Sequence, residues 1–130
     1  MKKLLLLIFT AVKLTSLSAC ANQSNDFSIE TLPNNIEQVT VNHYLSGEET
    51  EWTIKDNDLA KWKSWLEGLS AHQKNFEEGN TPGDSDGGEV YSFSINDGEV
   101  SVSYIINGSD DCYVLFESEW YAVSNPTNPF

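Results

Sequence analysis

Residues 91–123 contain four short runs typical of β-strands, and in the first two apolar and polar side chains alternate. This pattern limits the possible folds more than any other feature. Alternation with a period of two is typical of a strand that buries one face. Turn-forming residues separate the runs. Among them is Asn96-Asp97-Gly98, in which Asp-Gly favours the positive φ angles of a type I′ hairpin. We therefore predict a β-meander whose run Cys112–Phe116, apolar almost throughout, is a central strand.

Two further strands are predicted before the meander. Val39–Leu45 alternates, Ser46-Gly47-Glu48 is a turn, and residues 51–55 form the return strand. A helix follows, with Asp56 or Asp58 as its N-cap. Its apolar stripe consists of Leu59, Trp62, Leu66 and Leu69.

The helix is predicted to end at Gly68, a C′ glycine with Leu69 folding back in a Schellman contact. The element order ββ-α-ββββ then indicates an α+β fold of two layers, with one helix packed on an antiparallel sheet of about six strands. Residues 37–124 form this single domain, and residues 125–130 form a C-terminal tail that Pro excludes from regular structure. Among the aromatic residues of the predicted strands are five Trp and Tyr residues of which some must face away from the helix: Tyr44, Trp52, Tyr113, Trp120 and Tyr121.

The first nineteen residues have the layout of a secretory signal, with Lys2 and Lys3 before an apolar run that is too short to span a membrane. Leu17-Ser18-Ala19-Cys20 follows, and it resembles the lipobox of bacterial lipoproteins. The resemblance implies that the Cys20 thiol carries an acyl-glycerol anchor and that residues 1–19 are a removed signal peptide. Residues 20–36 are then the lipidated cysteine and a flexible tether. The expected location is the cell membrane, facing outside the cytoplasm.

The charge of the chain limits its partners. Its formal net charge is −13, and all twenty Asp and Glu follow Cys20. Such a surface repels phosphate backbones, so we expect no nucleic-acid partner. Cys112 is left as a lone thiol in an apolar run, which favours a buried and inert side chain.

The long polar stretch over residues 72–89 carries Asp84, Asp86 and Glu89 among several glycines. Carboxylate oxygens suit Ca²⁺, but the spacing lacks the ligand positions of an EF-hand loop. The alternative is a loop that contacts a partner, and loops of this length are often functional. We therefore assign no metal ligand, and Ca²⁺ binding remains one of the two hypotheses for this loop. The two histidines, His43 and His72, are too few for an ordinary zinc site.

No motif for nucleophilic catalysis is present, since no Gly-x-Ser-x-Gly elbow occurs. The expected function is a lipid-anchored binding module without catalytic activity that recognises a protein or a glycan. Carbohydrate binding through exposed Trp and Tyr, inhibition of a secreted enzyme, and a small hydrolase using a histidine beside acids are the alternatives. The domain pattern also resembles small bacterial lipoproteins without an assigned activity.

Overall fold

A computed structural model describes residues 26–77, 81–82, 88–107 and 111–130. Within them, one antiparallel sheet of seven strands is accompanied by one α-helix, so the predicted α+β class is confirmed. A short 3-10 helix, Ile29–Thr31, comes first. The other elements are β1 Val39–Leu45, β2 Glu48–Ile54, α1 Asp56–Gly68, β3 Ala71–Gln73, β4 Glu89–Ile95, β5 Val100–Ile106, β6 Cys112–Phe116 and β7 Glu119–Val123.

The strand order is β2-β1-β4-β5-β6-β7-β3, and every neighbouring pair is antiparallel. The prediction of about six strands missed β3, which lies where the sequence indicated the start of a long loop. Three residues are too few to show a period of two. This strand is instead defined by its pairing with β7, in which Ala71 lies opposite Val123.

Residues that lie opposite each other in the register share a face of the sheet. Val41, Phe93 and Tyr104 lie on one face and are almost completely buried, and we call this the helix face. The ring centroid of Trp62 on α1 lies 5.3 Å from that of Phe93, and the ring of Trp65 lies 5.0 Å from that of Tyr104. The apolar stripe of α1 therefore supplies part of the cover for this face.

One helix is too short to cover the whole face. Thirteen residues of α1 span about 20 Å, whereas seven strands are about 29 Å across. Part of the remainder is covered by Phe27, Leu32 and Ile36, all of which are buried. The tether predicted over residues 20–36 thus does not describe residues 26–36, because their apolar side chains complete the core.

The two ends of α1 differ from the local signals. The helix begins at Asp56, but the preceding Lys55 makes no side-chain cap hydrogen bond. Gly68 is the last helical residue and does not have positive φ, so the predicted Schellman ending is wrong. The carbonyl of Gly68 instead accepts a hydrogen bond of 2.8 Å from Nδ2 of Asn125. No helix in the described ranges has the length and apolar character to cross a bilayer.

The hairpins after β1 and β6 each have two central residues with positive φ, as type I′ turns require. Between β4 and β5, Asn96 (φ 49°), Asp97 (φ 59°) and Gly98 (φ 93°) all have positive φ, and the amide of Gly98 donates to the carbonyl of Ile95 at 3.2 Å. The predicted Asp-Gly pair therefore has the positive φ angles expected of it, and Asn96 has positive φ as well. The Asn96 side chain hydrogen-bonds the segment before β1.

Candidate functional site

A groove of about 310 Å³ lies between β2, α1 and the tail, residues 125–130. Concave, largely apolar sites with a few polar groups are the usual form of ligand sites. We call this concavity the aromatic groove. It is lined by Trp52, Thr53, Ile54, Asp58, Lys61, Trp62, Pro129 and Phe130.

Two aromatic rings give the groove its shape. Trp52 lies opposite Val41 in the register, so its side chain projects on the helix face. Its ring centroid is 5.4 Å from that of Phe130, with the ring planes at 68°. Phe130 also approaches Tyr91 and Phe93, yet it stays 55% exposed. We call these four residues the tail cluster. Its accessible aromatic surface belongs to Phe130 and in part to Trp52, since Tyr91 and Phe93 are buried.

The tail is held against the domain by side chains. Oδ1 of Asn125 accepts a hydrogen bond from the amide of Ser70 at 2.7 Å. The carbonyl of Thr127 accepts from Nε1 of Trp65 at 3.3 Å and from the hydroxyl of Tyr104 at 2.9 Å. The tail thus lies beside α1, with Thr127 near the second half of the helix and Phe130 near the first.

Polar groups border the groove on the helix side. Asp58 and Lys61 offer one carboxylate and one ammonium group on adjacent turns of α1. Trp62 also lines the groove, and its Nε1 is buried without a hydrogen-bond partner in the described part of the chain. An unsatisfied buried donor costs about 1–3 kcal/mol. The groove therefore combines apolar surface with donors and an acceptor.

A histidine and a carboxylate support the tail cluster from one side. Nε2 of His43 lies 2.7 Å from Oε1 of Glu89, and the same oxygen accepts a hydrogen bond of 3.0 Å from the hydroxyl of Tyr91. The rings of His43 and Tyr91 are stacked at 4.2 Å. Burial, followed by the hydrogen bond to and the charge of Glu89, raises the pKa of Tyr91 to about 12. The phenol therefore stays protonated and donating at neutral pH.

Only Glu89 of the predicted loop site lies among the described residues. Asp84 and Asp86 lie outside the described residues, as does the lipidation candidate Cys20. Glu89 is the first residue of β4, where its carboxylate is occupied by His43 and Tyr91. The acidic residues Asp97 and Glu99 lie beyond the other end of β4, so the whole strand separates them from Glu89.

The two histidines do not share a site. His43 lies on the helix face of β1, whereas His72 lies on the opposite face of β3, at the far edge of the sheet. Nδ1 of His72 lies 2.6 Å from a carboxylate oxygen of Asp26, on the surface. Across the described ranges, no group of three or more His, Cys, Asp or Glu side chains is arranged to hold a metal ion.

A second, polar cleft of about 750 Å³ lies at the β4–β5 turn, bordered by residues 33–38 and 96–99. Its polar groups largely satisfy each other. Oδ1 of Asn96 accepts from the amide of Glu37 at 2.9 Å, and Nε2 of Gln38 donates to Asp97 at 2.6 Å. Although this cleft is larger, its hydrogen-bonding groups are used in folding, and the aromatic groove is the better candidate site.

The opposite face of the sheet has its own aromatic cluster. Phe76, from the segment after β3, lies 5.4 Å from the ring of Tyr113 and 5.7 Å from that of Trp120. Nζ of Lys74 lies 5.3 Å above the Phe76 ring. We call Phe76, Tyr113 and Trp120 the loop cluster. The remaining aromatic residue on this face is Tyr44, which is 46% exposed.

The strand aromatics are therefore divided between the two faces, as the alternation required. Cys112 is buried and forms no disulfide, as predicted. It lies near Tyr104, whose pKa is raised by burial and by its hydrogen bond with Cys112.

Sequence reasoning missed the tail as part of the site. Pro126 and Pro129 indicated only an absence of regular structure. One available signal was Phe130, a large apolar residue in an otherwise polar segment. A second was the Pro-x-x-Pro spacing, which favours an extended conformation able to lie across aromatic side chains.

Comparisons with protein-family models, with curated proteins and with solved structures find no match to this chain. Its function is therefore inferred from the groove and from the residues that build it.

Proposed function

We propose that this protein is a lipid-anchored binding module that faces outside the cytoplasm, and that its ligand contacts the aromatic groove. The observation that carries the proposal is the groove itself. In it, the rings of Trp52 and Phe130 stand beside Asp58 and Lys61 in a concavity of about 310 Å³. Aromatic rings contribute contact area, and the charged groups orient what binds.

A binding role is favoured over catalysis by the state of the nearest imidazole. The ring of His43 lies 6.2 Å from that of Trp52, but it is stacked on Tyr91 and hydrogen-bonded to Glu89. These contacts suit a residue that holds aromatic side chains in place. Among the described residues, no Ser, Thr or Cys hydrogen-bonds this imidazole, so it lacks the nucleophile that a hydrolase would pair with it.

The proposed anchor and the groove fit together geometrically. Six chain steps from Cys20 to Asp26 span at most about 20 Å, and Asp26 forms a bridge with His72 on β3. Strand β3 is one edge of the sheet, and β2, which borders the groove, is the other, about 29 Å away. An acyl chain on Cys20 would keep the β3 edge near the membrane and leave the groove accessible to ligands in solution.

Carbohydrate binding is the second candidate, and a specific observation favours it. The Trp52 ring offers a flat apolar surface for the C–H face of a sugar, while Asp58 and Lys61 offer an acceptor and a donor for hydroxyl groups. The same groups would also suit a peptide with an aromatic or proline side chain, so binding experiments must include both ligand classes.

Metabolic labelling with a radioactive fatty acid tests the anchor. We expect label on the wild-type protein and none on Cys20→Ala, which removes the thiol that the lipid requires. Absence of label from the wild type, or equal label on the two proteins, would refute the anchor.

Glycan and peptide arrays test the groove. We expect Trp52→Ala to lose at least about ten-fold in affinity for whatever the wild type binds, since the substitution removes a central ring. Trp120→Ala is the matched control, because it removes an indole from the opposite face. Equal loss in both variants, or a wild type that binds nothing on either array, would count against the groove as a binding site.

A further inference from the structure

We propose that the aromatic groove binds extended peptides of the form Pro-x-x-Pro-aromatic, and that residues 126–130 of this chain are a built-in copy of that ligand, bound in cis. This inference rests on the proposed binding function, because it names the ligand class for the same groove. In this proposal the tail is a bound ligand rather than a passive cover of the groove.

The tail is recognised in the way that aromatic grooves recognise proline-rich peptides. One backbone carbonyl, that of Thr127, accepts hydrogen bonds from the indole of Trp65 and the phenol of Tyr104. The hydroxyl of Thr127 accepts a further bond of 3.1 Å from the same indole. Pro126 and Pro129 flank this segment and restrict it to extended conformations, which lowers the entropy lost on binding.

The aromatic residue at the end of the segment occupies a corner formed by three strand residues. The ring centroid of Phe130 lies 5.4 Å from Trp52, 5.9 Å from Tyr91 and 6.3 Å from Phe93. Recognition therefore has two parts. Two side-chain donors hydrogen-bond one backbone carbonyl, and three aromatic rings pack around the ring of Phe130. Any extended chain with these groups at the same spacing presents the same contacts.

The tail is not paired with the sheet as a strand. Within the described structure, the last backbone-to-backbone hydrogen bond of the chain joins the amide of Ser124 to the carbonyl of Ser70. Beyond it, the tail forms no strand, and Thr127 and Asn128 are exposed. An element held by side chains alone can be replaced by another chain without breaking the sheet.

The tail borders the groove without closing it. The open volume of about 310 Å³ lies beside Pro129 and Phe130, and it extends toward Asp58 and Lys61. A partner with a bulkier residue at this end could use the space that Phe130 leaves. The tail carries no charged side chain, and the chain as a whole is acidic, so a neutral or basic peptide is the partner that its charge permits.

Binding in cis also predicts competition. A segment joined directly to β7 has an effective concentration in the millimolar range, so a free peptide of equal affinity binds poorly until the tail is weakened. The test is therefore a titration of full-length proteins with a fluorescent peptide that copies residues 125–130, Asn-Pro-Thr-Asn-Pro-Phe, followed by anisotropy.

We expect full-length Phe130→Ala to bind this peptide at least about ten-fold more tightly than the wild type, because its own tail competes less well. A peptide with both prolines and the phenylalanine replaced by alanine should not bind. Adding Trp65→Phe to the Phe130→Ala protein should weaken binding about three- to ten-fold, the effect of one hydrogen bond. Adding Trp120→Phe on the opposite face should change nothing.

Asn125→Ala is a second way to release the tail, and it serves if Phe130→Ala does not melt cooperatively. Equal affinities for the copied and the alanine peptide, or no gain in either release variant, would overturn the inference. Failure of both variants to fold would overturn it as well, since the tail would then be core rather than ligand. If these peptides fail while Trp52→Ala still abolishes glycan binding, the proposed function stands and only the peptide inference falls.

Discussion

The tail cluster and the loop cluster are built from the same residue types on opposite faces of one sheet, but they are covered differently. Phe93 in the tail cluster is completely buried, because helix α1 and the tail both pack on it. Tyr113 and Trp120 in the loop cluster stay partly exposed under the single ring of Phe76. The burial of an aromatic residue here thus depends on how many separate segments reach it.

The largest expected difference between the clusters is in stability. Phe93→Ala should lower the free energy of unfolding by about 3–5 kcal/mol, because it opens a cavity beneath Trp62 and Trp65. Tyr113→Ala should cost less than half as much, since its ring is already partly in water. Urea unfolding measures both values, and equal losses would mean that the two faces contribute alike.

The second difference is in the response to alkaline pH. The pKa of Tyr91 is raised to about 12 in the folded protein by burial and by Glu89, whereas an unfolded tyrosine titrates near 10. The unfolded chain loses this proton first, so stability should fall between about pH 10 and 12, by of order 1 kcal/mol per pH unit. Unfolding curves of Tyr91→Phe across this range should show a smaller decline. An identical decline would assign the effect to other groups.

The loop cluster should depend on Phe76, which packs edge-to-face on its other two rings. Phe76→Ala should lower the free energy of unfolding by about 1–2 kcal/mol, because the rings of Tyr113 and Trp120 lose their edge-to-face partner. It should also increase the rate at which protease cleaves the segment after β3. A variant with unchanged stability and cleavage would show that Phe76 contributes no more than a solvent-exposed ring.

The smallest expected effect comes from one hydrogen bond in the tail. Trp65→Phe keeps an aromatic ring beside Tyr104 but removes the donor to Thr127, and it should cost about 1 kcal/mol. Thermal melts measure the change. Trp120→Phe is the control, and a cost as large as that of Trp65→Phe would indicate that ring size rather than the hydrogen bond matters.

Much of the fold could be predicted because its signals are local. The runs at β1 and β6 have the predicted bounds, and the apolar stripe of α1 faces the sheet as expected. The Asp-Gly pair after β4 has the predicted positive φ angles, but Asn96 shares them and its side chain hydrogen-bonds the segment before β1. That hydrogen bond joins residues 59 positions apart, and no local rule contains it.

The candidate site was less predictable than the fold. From the sequence, Asp58 was a candidate N-cap and Lys61 a polar position on a helix, and Phe130 was only the last residue of an irregular tail. They become one groove because β2, α1 and the tail converge in space. Glu89 was predicted as a possible ligand of Ca²⁺ or of a partner. In the structure its carboxylate instead accepts hydrogen bonds from aromatic residues of β1 and β4.

The sequence by itself determined which residues alternate, where the hairpins turn and which side of α1 is apolar, since each of these follows from neighbours a few positions away. The tertiary structure alone decided that β3 is a strand, that Asn125 caps the end of α1 and that the tail closes one side of the groove. Those features are stabilised by partners far apart in the sequence, such as Gly68 and Asn125, which are 57 residues apart, and such contacts exist only after the sheet has formed.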